Sequence, residues 1–211
     1  MKSEQLSGLL LISLEHERGG VLVYETALQC AQNDQLRAEW TQYLSETREH
    51  VEALERVCKE LKLDPEAQTP TRAIVQSLGG ALVSAMKSAL DSATPAEAEL
   101  VACECVVIAE TKDHLDWELL SKWAEKDDAP ESLVEACEEI EEQEDEHLYH
   151  SKGWCRELWL QALGEDAVLP PPEEQKDVKT AIGAARAEQS RESMLEEGDG
   201  SDAKSRRKTR S

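Results

Sequence analysis

Two of the five histidines in this chain close the same five-residue phrase. Glu46-Thr47-Arg48-Glu49-His50 returns as Glu110-Thr111-Lys112-Asp113-His114, in each case Glu, Thr, base, acid, His. A Glu and a His four apart on a helix share one face, about 5–6 Å apart at Cβ, a distance that one metal ion can bridge. A third stretch, Gln143-Glu144-Asp145-Glu146-His147, carries a looser version of the outline. Charges on an apolar face are expensive unless paired or metal-bound, and converging carboxylates raise one another's pKa. A divalent cation relieves both problems. Carboxylate with imidazole suits iron or manganese, with zinc admissible.

Such residues need helices that aim them inward at one height. The chain has 211 residues, of which 40% are hydrophobic, 32% charged and only 4% aromatic, with no Phe. This mix favours helices over sheets. Hydrophobic periodicity predicts helices over residues 4–32, 35–62, 72–91, 95–126 and 130–163. Asn33-Asp34 and Asp127-Asp128-Ala129-Pro130 read as turns, and Asp64-Pro65 with Thr69-Pro70 brackets a connector. Thr94-Pro95 is a helix start with Pro at the first helical position. Gly79-Gly80 either weakens its helix or lets another backbone approach. The plan is two helical hairpins joined by a long crossover that holds its own helix, over residues 1–164. Residues 165–211 read as a largely disordered tail, with Pro170-Pro171-Pro172, a short helix near 178–189 and a basic end at Lys204-Ser205-Arg206-Arg207-Lys208.

Height and facing select the candidates. Glu17 and His50 are equidistant from the Asn33-Asp34 turn, and Glu110 and His147 from the Asp128-Ala129 turn, with His114 and Glu144 nearly so. Glu46 shares a face with Tyr43, His50, Ala53 and Val57, and Glu110 and His114 share one with Cys103, Val107 and Trp117. Glu144 and His147 fall on the stripe Leu133, Cys137, Ile140, Trp154 and Leu158. Glu49 and Glu52 read as solvated, and His16 as a surface histidine pointing away from Glu17. Glu146 with His150 offers a rival register on a more polar face.

These residues resemble the ferritin-like dimetal carboxylate superfamily, which includes ferritins, bacterioferritins and rubrerythrins. There one helix of each hairpin gives a Glu and the other gives Glu-x-x-His. Glu17 matches the first-helix Glu, Glu110 the third-helix Glu, and Glu144-x-x-His147 the last-helix motif. Tyr24, seven residues after Glu17, matches a Tyr that family members often carry. Glu46 and His50 match in role with a spacing of four, and His114 is an addition. The wording from Glu46 to Glu55 is also similar to a bacterial stress-associated ferritin-like family. The resemblance implies an all-α ferritin-like four-helix bundle holding two iron ions, with manganese or zinc as alternatives. It implies a ligand set drawn from Glu17, Glu46, His50, Glu110, His114, Glu144 and His147, bridged by Glu144 with Glu46 or Glu110. Tyr24 would hydrogen-bond a ligand carboxylate. The implied activity is oxidation of Fe(II) or reduction of oxygen or peroxide, as ferroxidase, peroxidase or oxygenase. A bundle with a structural metal, or a non-enzymatic stress-related interaction protein, is the competing expectation.

The net charge of −22 argues against nucleic acid as a partner of the acidic body and is compatible with attracting cations. The six cysteines have no metal-ribbon spacing and read as small buried hydrophobes in a reducing compartment. No export signal stands out and no apolar run approaches the roughly 18 residues of a span. The expectation is therefore a cytoplasmic protein without a membrane partner, with a homodimer left open.

Overall fold

The computed structural model describes residues 2–171, with side chains from residue 4 onward. The predicted short helix near 178–189 and the basic end lie outside the described residues. The described residues form five helices, α1 Lys2–Cys30, α2 Asp34–Glu60, α3 Pro70–Ser92, α4 Pro95–Ala124 and α5 Glu131–Leu163, and include no strand. The periodicity places every end within about two residues.

Local signals set these ends. The Asn33 side chain accepts from the amides of Gln35 and Leu36 and starts α2. Thr94 and Glu97 form a reciprocal capping box at α4, with Pro95 behind the cap. Helix α5 has no such cap of its own, because Pro130 occupies the position. Glu60, at the end of α2, replaces it by accepting from the amides of Glu131 and Ser132 at 3.2 and 3.0 Å. At the opposite end, Glu99 of α4 accepts from the amides of Gln32 and Asn33 at 2.6 and 2.7 Å. Each hairpin turn is thus tied to the other hairpin, which fixes the relative height of all four long helices.

Helix α1 packs on α2, α3 and α4, and α5 packs on α2 and α4. Partners run in opposite numerical order across these seams. Glu46 meets His147 while His50 meets Gln143, so α2 and α5 are antiparallel. Leu10 clusters with Trp117 and Tyr24 with Val106, so α1 and α4 are antiparallel. Helices α2 and α4 consequently point the same way, and the chain must travel back between them. Helix α3 makes that return along α1, held by the buried Glu15–Arg72 pair at 2.6 Å and, further on, by a near-contact of Gly19 with Gly79. Gly79 is thereby the close-approach glycine that the sequence suggested, while Gly80 has open space.

Three features depart from the sequence reading. His16 is buried and its Nε2 lies 2.9 Å from the Ala109 carbonyl, so it belongs to the α1–α4 seam and not to the surface. Its pKa is lowered, chiefly by that burial. Helix α3 is long and apolar enough to cross a membrane by length and composition, though here it lies along α1 and α4 with Val75, Met86 and Ala89 buried. Polar residues such as Gln76, Ser77, Ser84 and Lys87 interrupt it, which hides a hydrophobic average from a search for unbroken apolar runs. Finally, residues 165–171 fold back on α5. Val168 donates its amide to Glu157, and Pro171 comes so near Gly153 that a Cβ there would meet it at 3.2 Å.

A β-carbon at position 79 would meet the Gly19 Cα at 3.6 Å, an ordinary contact, whereas a larger side chain would push α3 off α1. In chemical denaturation, Gly79→Ala should be neutral or stabilising by up to about 1 kcal/mol, and Gly79→Leu should destabilise by about 1–3 kcal/mol.

Candidate metal centre

A polar layer divides the hydrophobic core. One apolar cluster, with Tyr24, Trp40, Tyr43, Val106 and Trp154, lies at one end of the bundle. The other, with Leu10, Leu14, Leu54, Trp117 and Leu133, lies at the opposite end. Between them sit Glu17, His50, Glu110, Asp113, Glu144 and His147, all buried. Each long helix contributes a pair three residues apart: Glu17 with Gly20, Thr47 with His50, Glu110 with Asp113, Glu144 with His147. Three residues turn a helix by about 300° and four by about 400°, so pairs spaced by three and by four leave the layer on opposite sides.

Two groups of ligand atoms converge within 4.8 Å: Glu17, His50 and Glu144, and Glu110, Glu144 and His147. Glu144 belongs to both. Its Oε1 lies 3.1 Å from His50 Nδ1 and 3.7 Å from His147 Nδ1. His50 Nδ1 is also 3.4 Å from Glu17, and His147 Nδ1 is 3.7 Å from Glu110. Each imidazole turns its other nitrogen outward across the α2–α5 seam. His50 Nε2 donates to Gln143 at 2.9 Å and His147 Nε2 donates to Glu46 at 2.8 Å. With Nε2–H committed outward, loss of the second proton bares Nδ1 on the side of the carboxylates, the tautomer a metal requires.

The layer has approximate two-fold symmetry. Trp117 Nε1 donates to Glu17 at 2.6 Å, and the Tyr24 hydroxyl, on the opposite side, lies beside Glu110 without closing a hydrogen bond. Tyr24 follows Glu17 by seven residues, as Trp117 follows Glu110. Glu46 and Gln143 are equivalent in this scheme, and so are Thr47 and Glu144. The pseudo-symmetry is broken at this last pair, where α2 offers a Thr hydroxyl in place of a second shared carboxylate.

The sequence-predicted residues therefore divide. Glu17, His50, Glu110, Glu144 and His147 are brought together, with Tyr24 beside them. Glu46 sits outside both groups and orients His147. His114 lies at the edge of α4, 2.7 Å from Asp145 and about a quarter exposed, and is not brought to the layer. His150 pairs with Glu39, and Glu146 is exposed, so the rival register stays outside. Asp113 is the residue that sequence reasoning passed over. Its position three after Glu110, on the side away from His114, was the available signal.

The electrostatics fit a layer that could hold a cation. Buried atoms without hydrogen-bond partners include both oxygens of Glu144, one each of Glu17, Glu110 and Asp113, and Nδ1 of both histidines. A native core rarely leaves such atoms unsatisfied, at about 1–3 kcal/mol each, and a divalent ion is a partner that suits them all. Burial, and then the neighbouring Glu144, push Glu110 up to about 8. Burial, with Glu17 next, holds Asp113 well above the usual carboxyl range. Burial disfavours both imidazolium ions, but Glu17 and Glu144 outweigh it at His50, and Glu46 and Glu110 at His147, so both pKa values are raised. Glu46 is lowered, first by the hydrogen bond from His147.

No family model matches this chain, and neither a curated protein nor a solved structure does.

The raised groups, Glu110, Asp113, His50 and His147, share one sign and outnumber the lowered Glu46 and His16. Glu110 binds its proton more tightly folded than unfolded, so its ionisation removes stability as pH rises from near 4.5 to about 8. The raised histidines add stability below their ordinary 6.5 and lose it as pH rises through their folded values. In chelator the melting temperature should fall from about pH 5 to about pH 8.5. A metal that displaces these protons should flatten the slope and widen the gap between loaded and metal-free protein toward high pH. Parallel thermal melts with and without Mn²⁺ measure this.

Proposed function

We propose that the chain is a ferritin-like dimetal protein whose buried layer holds two divalent ions, iron first, for chemistry on oxygen or peroxide. The carrying observation is Glu144, a carboxylate shared by two Glu/His groups with both inner Nδ1 atoms facing it. The bundle geometry supports the reading as well, because α2 and α4 point the same way around a long crossover.

Charge supports a pair of ions rather than one. Glu17, Glu110, Glu144 and Asp113 together offer four negative charges when ionised, matching two divalent cations in a buried site where bulk water does little to screen an excess. Each ion would find three protein donors, Glu17, His50 and Glu144 on one side and Glu110, Glu144 and His147 on the other. Three donors leave coordination open, as reactive sites do, whereas structural zinc is closed by four. A bound Fe(II) pair supplies two electrons, enough with two protons to take oxygen to hydrogen peroxide or peroxide to two waters. The protein's own part is to hold the ions close through Glu144, to fix both imidazoles through Gln143 and Glu46, and to exclude bulk water with the two apolar clusters. Trp117 positions Glu17 through its hydrogen bond, and Tyr24 lies beside Glu110.

Anaerobic loading with Fe(II), followed by metal analysis, should give about two ions per chain. Exposure to air or peroxide should then develop ferric absorbance. Glu144→Ala should lose both ions, and Glu17→Gln or Glu110→Gln should weaken one more than the other, while His114→Ala keeps wild-type stoichiometry. A folded protein that binds less than one ion per chain would refute the proposal, and one that binds two ions but stays colourless would limit it to a structural metal.

A further inference from the structure

We propose that the α2–α5 seam is the port through which divalent cations reach the buried layer, with Glu49, Glu52 and Glu139 as its acidic mouth and the His50–Gln143 pair as its inner gate. The inference rests on the dimetal reading. It concerns how an ion gets in, which the ligand set does not answer, because Glu17, His50, Glu110, Glu144 and His147 are all essentially closed to solvent.

A cavity of about 410 Å³ opens in this seam, lined by Glu49, Glu52 and Arg56 of α2 and by Glu139 and Gln143 of α5, with His50 among its walls. An ion carrying six waters needs roughly 200 Å³, taking about 30 Å³ per water, so a hydrated cation fits. Three carboxylates against one guanidinium leave the mouth with an excess of negative charge, which raises the local cation concentration. Glu49, Glu52, Arg56 and Glu139 are exposed, and Gln143 is half-buried between them and the imidazole. His50 therefore stands between cavity and site, with Nε2 toward Gln143 and Nδ1 toward Glu17 and Glu144.

Contacts occupy three other approaches. Gly20 packs on Thr47 in the α1–α2 seam, where a Cβ at position 20 would sit 3.3 Å from the Thr methyl. His16 and its bond to Ala109 fill the α1–α4 seam. Further along the α2–α5 seam itself, Glu46 bonds His147, and Glu39 bonds both His150 and Trp154. The pseudo-equivalence of Gln143 and Glu46 explains why the port lies at one histidine and not the other. The bond from Nε2 to a neutral amide is weaker than the bond to a carboxylate. Gln143 can swing aside at small cost and cannot trap a passing cation as a carboxylate would. The acidic residues 49 and 52, which the sequence marks as merely solvated, thus acquire a task.

The test is stopped-flow mixing of the metal-free full chain with Co²⁺ at low ionic strength, read by quenching of tryptophan fluorescence. Trp117, 5.9 Å from His50 between ring centres, is the reporter. Glu49→Gln/Glu52→Gln/Glu139→Gln should slow association about fivefold or more, and Arg56→Gln should speed it. Both effects should shrink in 1 M salt, where the screening length is about 3 Å. The control Glu138→Gln/Glu141→Gln/Glu142→Gln makes the same charge change at exposed positions of α5 outside the cavity lining and should alter the rate less than about twofold. Gln143→Leu, which replaces the polar gate by an apolar plug, should slow uptake in high salt as well as in low. If the wild type takes up Co²⁺ and the mouth variant is as fast, or the control is equally slow, the port is overturned while the dimetal reading stands. If the wild type takes up no Co²⁺, the dimetal reading fails and the port with it.

Discussion

Four carboxyl groups and two imidazoles share one buried level of a helical core, where bulk water does little to screen their repulsion. A charge in that position is tolerated only when paired, protonated or bound to a cation. The rest of the bundle is arranged around this constraint. Apolar clusters close both ends of the layer, so the polar atoms can answer only to one another or to an ion. Glu60 and Glu99 tie the hairpin turns to the opposite hairpin, which keeps four separate helices level. A shift of one residue in any helix would replace a ligand by a neighbour that faces elsewhere, as the placement of Glu46 beside His50's own turn illustrates.

Much of this was legible in the sequence. Turn residues with real caps, Asn33 and Thr94, announce the helix starts, and helical periodicity carries most of the rest. Equal distance from the turns placed Glu17 opposite His50 and Glu110 opposite His147, and the structure puts both pairs within 4 Å. The repeated pentapeptide was informative and misleading at once. It supplies His50 from one copy and Glu110 with Asp113 from the other, but its copies sit on helices that are not equivalent. The symmetry of the bundle pairs α2 with α5 and α1 with α4, so Glu46 answers to Gln143 and not to Glu110. A spacing of four also carried His114 out to Asp145, while Asp113, one residue earlier, went in. What could not be read was depth: His16 looks like a surface residue until α4 is seen to cover it.

The layer is also asymmetric in a way that suggests unequal halves. Glu144 has no carboxylate counterpart on α2, because Thr47 occupies that place and bonds the Tyr43 carbonyl. Asp113 makes up the charge from α4, on one side only. His50 is held by a neutral amide and His147 by a carboxylate. An ion beside His147 would have the more basic imidazole, and an ion beside His50 would have the looser one and the cavity. Any filling of the two positions would be unequal for that reason.

The central claim is that two cations lie on either side of Glu144. Anomalous diffraction from crystals of Mn²⁺- or Fe²⁺-loaded protein tests it most directly. The account predicts two peaks per chain, one among Glu17, His50 and Glu144 and one among Glu110, Glu144 and His147, roughly 3.5–4 Å apart as in two-metal sites generally. Density confined to exposed groups such as His114 and Asp145, with the buried layer empty at saturating metal, would contradict it.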